Sequence, residues 1–367
     1  MSGLSNARVI VAGAGAFGST VALRLAQAGA SVVLADPRLE GSGAGCGASG
    51  VAAGMLAPAF EVLLDPETGL SFDLLRDGRD LWSGLADRLR GGPIGLSRAG
   101  AVWLDLPGLE PRAEAIAAGM DSIGARRAPP PLAALRLVSA EAISGAAVFT
   151  PEDWRLGPRA ALTVLHSALI EAGGQIAGQG VITFEGGQAR LSGGGTVAAD
   201  HLVVAAGAEG AGLAPELADL VPIKGQILKY PDLIIPPGTP ALRCVGGYAV
   251  GGADGLCVGA TMEAGRRDLE IDAAVAGRLR ALAERLYPEA AGMTPVAQAG
   301  VRAASRDGRP MIGPSAAPGV WLAAGARRNG WLLGPLVAEI IASYLAGRDP
   351  GPHATPLEPG RFAAAES

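Results

Sequence analysis

Short apolar runs and stretches of helical apolar spacing alternate along this chain, and together they predict its elements. Arg8-Val9-Ile10-Val11-Ala12 is an apolar run stopped by glycines and reads as a strand. Ser19 to Ala28 reads as a helix closed by Gly29, and Ser31 to Ala35 as a second strand. Phe72 to Leu89 carries helical spacing with charges between, and Gly95 to Leu104 then alternates as a strand. Pro129-Pro130-Pro131 marks a surface turn, and Pro158 to Gly173 a helix ending in Gly173-Gly174. Asp200 to Ala208 reads as a buried strand reaching another glycine turn. From Ile223 to Val258 come short strands at Gly225 to Tyr230, Gly247 to Val250 and Leu256 to Gly259, with Asp254-Gly255 as a hairpin turn. A helix follows at Ile271 to Leu286. Then come a strand at Val320 to Ala324, a turn at Gly325 to Gly330 and a helix at Trp331 to Ala346.

This order predicts an α/β chain in two discontinuous domains. One, visited three times, takes residues 1–90, 155–220 and 300–367; the other, an antiparallel sheet inserted twice, takes residues 91–154 and 221–299.

The first strand runs directly into Gly13-Ala14-Gly15-Ala16-Phe17-Gly18, and Asp36 closes the second strand. Gly13 permits a tight turn, Gly15 lets backbone approach a pyrophosphate, and Gly18 lets the helix pack close to the strand. The helix N-terminus supplies amide donors and positive potential, and Asp36 is placed for a ribose hydroxyl. Glycine-rich bends are common in α/β proteins. A strand before, a helix after and an acid at this spacing distinguish a Rossmann-like dinucleotide site. Ser42 to Ala57 is rich in Gly, Ala and Ser, which points to something large lying against the backbone.

Composition narrows the function. At 367 residues the chain is long enough for two domains, and 49% hydrophobic against 18% charged residues carries no signature of disorder despite 56 Gly and 27 Pro. A net charge of -5 without a basic stripe argues against nucleic acid or an anionic membrane as partner, leaving small-molecule chemistry. No apolar run approaches the ~18 residues of a membrane helix, and Met1 to Arg8 lacks a basic leader segment, so a cytoplasmic protein is expected. Cys46, Cys244 and Cys257 are odd in number and widely spaced, and His166, His201 and His353 stand alone. No metal site or disulfide framework follows. The cysteines read as small buried or half-buried hydrophobes and the histidines as surface or hydrogen-bonded residues.

Eight runs in order carry a family resemblance. They are GAGAFG with Asp36, ASGVAAGMLAP at Ala48 to Pro58, VVAAGA at Val203 to Ala208, PIKGQ at Pro222 to Gln226, YAV at Tyr248 to Val250, GATME at Gly259 to Glu263, DGRPMIGP at Asp307 to Pro314, and AAGARRNGWLLGP at Ala323 to Pro335. Over nearly its whole length the chain resembles the flavin-dependent amine and amino-acid oxidases of the D-amino-acid oxidase superfamily, in particular the glycine oxidase branch of thiamine biosynthesis. The resemblance implies a Rossmann-like FAD-binding domain of the glutathione-reductase/D-amino-acid oxidase type plus an antiparallel-sheet substrate domain. It implies noncovalent FAD held by Gly13, Gly15, Ala16, Phe17, Gly18, Asp36, Ala48, Ser49, Gly54, Met55, Val181, Ala206, Gly207, Arg302, Arg328, Asn329, Gly330 and Trp331. A covalent flavin, as in the sarcosine oxidase branch, needs a C-terminal cysteine, and none lies between Met262 and Ser367. That branch also tends to carry a lysine where Cys257 stands.

The implied reaction is oxidative deamination of glycine or a similar small amine, with hydride transfer to flavin and dioxygen as the acceptor giving hydrogen peroxide. By family position Arg302 holds the substrate carboxylate, a task for which a guanidinium fork is suited. Arg328 matches a second basic position, with Arg327 as the alternative residue turned inward. Tyr248 and Met262 match the wall beside a small substrate, or else fill core. A homo-oligomer is the implied assembly. Two departures bear on substrate identity and oxygen reactivity: Ala326 or Arg327 replaces a common histidine, and Gly251-Gly252 a common Pro and basic residue. An alternative remains open, a D-amino-acid or sarcosine-type dehydrogenase passing electrons to a carrier or quinone. A non-enzymatic flavin module would leave the carboxylate clamp without purpose.

Overall fold

The structure is a computed structural model and describes residues 4–39, 47–89, 92–252 and 254–365. Cys46 and the first part of the Ser42 to Ala57 stretch lie outside the described residues.

A six-stranded sheet forms one layer, in the order Met311–Pro314, Val320–Ala324, His201–Val204, Arg8–Ala12, Ser31–Ala35, Gln175–Ala177. All its pairings are parallel except that of Met311–Pro314, so five strands point their C-terminal ends the same way. Side chains of the central strand alternate between faces, as a period of two requires. Val9 and Val11 join the core under the helices Ala16–Gln27, Pro158–Glu171 and Gly330–Leu345. Ile10 and Ala12 join the opposite core, covered by a three-stranded antiparallel sheet of Val181–Glu185, Gln188–Leu191 and Thr196–Ala198. Burial on both faces explains why these strands read as continuous apolar runs.

A second, eight-stranded sheet is built around Val221–Tyr230, which pairs with Gly255–Gly259, Glu263–Ala264 and Val296–Ala304. Gly247–Gly252, Ala241–Cys244, Ala101–Leu104 and Ala147–Thr150 extend it beyond Gly255–Gly259. The helix Ala273–Leu286, started by Asp272 accepting from the Ala274 and Val275 amides, packs on one face. Ile227, Val250, Cys257 and Trp103 point to the other, against Phe60.

Several expectations shift in detail. The strand expected from Gly95 begins at Ala101, because Gly100 has φ +79° and a Cβ there would meet the Phe149 ring at 2.4 Å. Val296–Ala304 is a nine-residue strand absent from the sequence reading, since Ala297, Ala299, Gly300 and Ala303 hide its alternation. The helix Ala113–Ser122 was equally masked by its alanines and glycine. Cys244 and Cys257 are buried free thiols, and His166, His201 and His353 each have a hydrogen-bonding partner.

The glycine turn fixes the helix Ala16–Gln27 against the sheet. Gly13 has φ +104°, and a Cβ on it would lie 2.4 Å from the Ala205 carbonyl oxygen; one on Gly18 would lie 1.8 Å from the Gly13 carbonyl oxygen. Gly18→Ala must therefore push the helix off the strand. It is expected to cost about 3 kcal/mol of stability, the upper end of overpacking effects. Thermal unfolding together with flavin content after gel filtration checks this; wild-type values for both would refute the close packing.

Candidate active site

Two cavities meet at the C-terminal ends of the parallel strands, where α/β sheets place their ligands. One, of about 440 Å³, is lined by Gly15, Ala16, Phe17, Asp36, Ala48, Ser49, Ala206, Gly207, Gly330 and Trp331, among others. The other, of about 320 Å³, opens beneath the eight-stranded sheet and is lined by Gly54, Met55, Tyr248, Met262 and Asn329, among others. Ala48, Ala52, Gly300, Arg302, Arg328 and Trp331 line both.

The first cavity has the features of a dinucleotide cradle. The helix Ala16–Gln27 opens on Gly15, which has no side chain to cap it, and a Cβ there would stand 2.9 Å from Ser49 Oγ. Ser49 Oγ accepts from the Ala16 amide at 3.0 Å, which leaves its hydroxyl proton free to donate. Asp36 is buried; its Oδ2 accepts from Ala14 N and its Oδ1 from Arg38 N, each at 2.9 Å. Each oxygen keeps a lone pair for a further donor. Among the described residues nothing stands within 4 Å of a Cβ at Gly207. Residues of this kind fit FAD.

The expected cofactor residues divide by position. Gly13 and Gly18 shape the turn from behind rather than lining the cavity. Gly54, Met55 and Asn329 face the second cavity instead. Val181 lines neither: it starts a strand of the three-stranded sheet, opposite Leu191.

Arg302 stands at the junction. It lies on Val296–Ala304 opposite Ile223, and its guanidinium rests over Gly225, where a Cβ would be 2.6 Å from both Nη atoms. Nη1 donates to Thr261 O at 3.3 Å and approaches Met262 Sδ at 3.1 Å. Among the described residues it has no carboxylate partner. Burial presses its pKa down, and Arg328 and Arg327 add repulsion against the pull of Tyr248 and Glu61. The group remains charged, because an arginine does not deprotonate in a protein. Tyr248 is half-buried beside it, and burial raises its phenol pKa.

Arg328 differs because it already has counter-ions. Its Nε donates to Glu61 Oε2 at 2.9 Å and lies 3.5 Å from Asp65 Oδ2. Its Nη2 is 2.7 Å from Glu61 Oε2, at an angle outside hydrogen-bonding geometry. Burial lowers its pKa, but the two carboxylates outweigh this and raise it. Arg327, held at φ 50°, lines the cofactor cavity and forks onto Asp65 at 2.7 and 2.8 Å.

The acids behind these arginines were not singled out in the sequence. Glu61 interrupts the apolar helix Pro58–Leu64 and pairs with both Arg328 and Arg243, the latter at 3.2 Å. Burial pushes its pKa up, but Arg328 and Arg243 bring it below the ordinary carboxylate value. Asp153 anchors the start of that helix, its two oxygens accepting from the Ala59 and Phe60 amides at 2.9 and 3.2 Å. A lone charge inside an apolar run was the available signal in Phe60-Glu61-Val62 and in Leu242-Arg243-Cys244.

Comparison with known proteins agrees with this geometry. The family model described as FAD dependent oxidoreductase, DAO, matches residues 8–344. The chain belongs to that family. This oxidoreductase is 29% identical to a glycine oxidase of Pseudomonas putida, over 94% of this chain and 95% of the relative. A crystal structure of glycine oxidase from Geobacillus kaustophilus superposes with a TM-score of 0.80 at 24% identity, covering 96% of this chain and 98% of the other. One of iminodiacetate oxidase from Chelativorans sp. BNC1 does so at 0.78 and 25%, with the same coverage of both chains. The oxidoreductase is thus FAD-dependent. No helix among the described residues is long and apolar enough to cross a membrane, and no cluster of metal-ligating side chains occurs among them.

Asp153 gives the site's support a pH signature. Burial pushes its pKa up to about 7 against the pull of Arg243 and two amides. The folded state therefore holds a proton that the unfolded chain releases near pH 4. Its contribution to stability is present below about pH 4 and declines as pH rises to about 7, by up to about 1.4 kcal/mol per pH unit. Denaturant unfolding of wild type and Asp153→Asn at pH 5 and pH 7.5 checks this: the mutant should lose that part of the decline. Identical pH slopes in the two proteins would rule out the buried acid as its source.

Proposed function

We propose that the protein oxidises glycine or a similarly small amino acid at the carbon bearing the amine, giving an imine that water converts to the oxo acid and ammonia. The observation that carries this is Arg302, a half-buried guanidinium without a carboxylate partner among the described residues, at the junction of the two cavities. A partly desolvated cation in that state is a receptor for an anion brought in by a ligand. Bound FAD supplies the two-electron acceptor for the hydride, and dioxygen takes the electrons onward as hydrogen peroxide.

The protein's own side chains bind and orient. Arg302 fixes the substrate carboxylate, which sets the direction in which the α-carbon faces. Tyr248 and Met262 bound the space beyond that carbon and favour small substrates. Arg328, neutralised by Glu61 and Asp65, supports the wall and the cofactor edge rather than competing for the carboxylate. Asp36 and Ser49, with the amides at the start of Ala16–Gln27, hold the adenosine and phosphate end. The sheet of parallel strands would form the FAD domain and the eight-stranded sheet the substrate domain.

Arg302→Ala is expected to lower kcat/KM for glycine by about 2 to 5 kcal/mol in transition-state terms, the range for truncating one partner of a desolvated charge pair. Arg302→Lys should recover only part, since a point charge cannot make a bidentate contact. Peroxide release with glycine and with an amine lacking a carboxylate decides the matter: the mutant should lose discrimination between the two, and equal damage to both would refute the clamp.

The flavin is proposed to be noncovalent, because no cysteine lies among the described residues lining the cofactor cavity. Acid precipitation should leave all yellow colour in the supernatant. Flavin remaining with the pellet would contradict this.

A further inference from the structure

We propose that Arg243 is a second anion-binding residue of this site and that the preferred substrate is an amino acid carrying two carboxylates, a reading that rests on the amino-acid oxidation proposed above. Arg243 lies on Ala241–Cys244, opposite Tyr248 on the neighbouring strand, and its side chain lines the substrate cavity. It is only 5% exposed. Its guanidinium carbon is 5.9 Å from the centre of the Tyr248 ring and 5.7 Å from that of Phe60.

Its hydrogen bonding is incomplete. Among the described residues it makes one hydrogen bond, from Nη2 to Glu61 Oε1 at 3.2 Å, while its Nε is buried with no acceptor. A buried donor left unpaired is costly, and a folded protein keeps one where a ligand completes it. Glu61 serves it with Oε1 alone, because Oε2 is engaged by Arg328.

The charges of the wall point the same way. Arg112, Arg243, Arg302 and Arg328 face the cavity, and Glu61 is the one acid among its described lining residues. Asp65 adds a further charge from behind, forked onto Arg327 and 3.5 Å from Arg328; Asp153 also feels Arg243, and Arg112 pairs with Glu110 at 3.3 Å, which leaves Arg302 and Arg243 as the least matched cations of the wall. A single substrate carboxylate on Arg302 leaves Arg243 still in excess. Tyr248 feels the charge of both Arg302 and Arg243. Arg243 stands against the Tyr248 ring and Arg302 lines the same cavity, so a small molecule held there can meet both. A carboxylate suits Arg243 because it is planar and accepts from a guanidinium fork.

Matched substrate pairs test this with the holoenzyme. Sarcosine and iminodiacetate differ by a carboxylate on the nitrogen substituent; alanine and aspartate, each of both hands, differ by one on the side chain. In wild type, at least one pair should show kcat/KM favouring the dicarboxylate by about tenfold or more. Turnover without gain from the second carboxylate in either pair would overturn this proposal alone. If none of these compounds nor glycine is oxidised, the oxidase reading itself falls. The binding arm is independent of turnover: methoxyacetate and diglycolate, which cannot be oxidised at an amine, are titrated against the bound flavin's absorbance. Diglycolate should bind more tightly in wild type, and Arg243→Met should shrink both its advantage and the kinetic preference by about tenfold. Arg243→Gln keeps a donor for Glu61 and serves if Arg243→Met fails to fold; the same shrinkage is expected. A loss equal for mono- and dicarboxylates in either variant would make Arg243 a prop for Glu61 and refute the proposal.

Discussion

The site is organised around a positive charge held half out of water with no carboxylate partner among the described residues. Taking a guanidinium into a low-dielectric pocket is unfavourable by several kcal/mol even after relaxation, so the fold must supply that energy elsewhere. It does so by rigid placement. Arg302 sits on a strand paired along its whole length with Val221–Tyr230, and it lies flat on Gly225, where any side chain would displace it. The cost is relieved when an anionic ligand arrives.

The neighbouring arginines follow a different rule. Arg327 and Arg328 are each tied to a buried acid, and Glu61 and Asp65 are brought to them by the helix Pro58–Leu64 and the residue that ends it. That helix is in turn anchored by Asp153, far away in sequence. The site thus separates cations that shape its wall from a cation kept available. Removing an acid from the first group would free a charge and blur that distinction, which is why such pairs are poor places for conservative exchange.

How much of this was legible in the sequence depended on whether a residue's role is local. Gly13, Gly15 and Gly18 are demanded by backbone geometry within six residues, and Asp36 closes the next strand, so the glycine turn and the cavity beside it could be read directly. The Ala48 to Pro58 stretch could be read because small residues in series have few other uses. The strand Val296–Ala304 escaped notice because alanine and glycine carry no alternation, and Arg302 was found only through family resemblance. Glu61, Asp153 and Arg243 act through partners 93 to 267 positions distant. No spacing rule links such residues; a lone charge in an apolar run marked Glu61 and Arg243, and nothing local marked Asp153.

The strand that carries Arg302 also fastens the two sheets to each other. Just beyond Arg302, Ala303 O accepts from the Arg327 amide at 2.8 Å, and Ala304 bridges to Ala326 in the loop that follows Val320–Ala324. A hinge motion that swung one sheet away from the other would have to break this seam, and it would carry the guanidinium out of register with the cofactor cavity. The cavity's outer rim, where the turn at Val245-Gly246-Gly247 and the exposed Arg112 meet it, lies outside this seam and could change shape without disturbing the Arg302 strand.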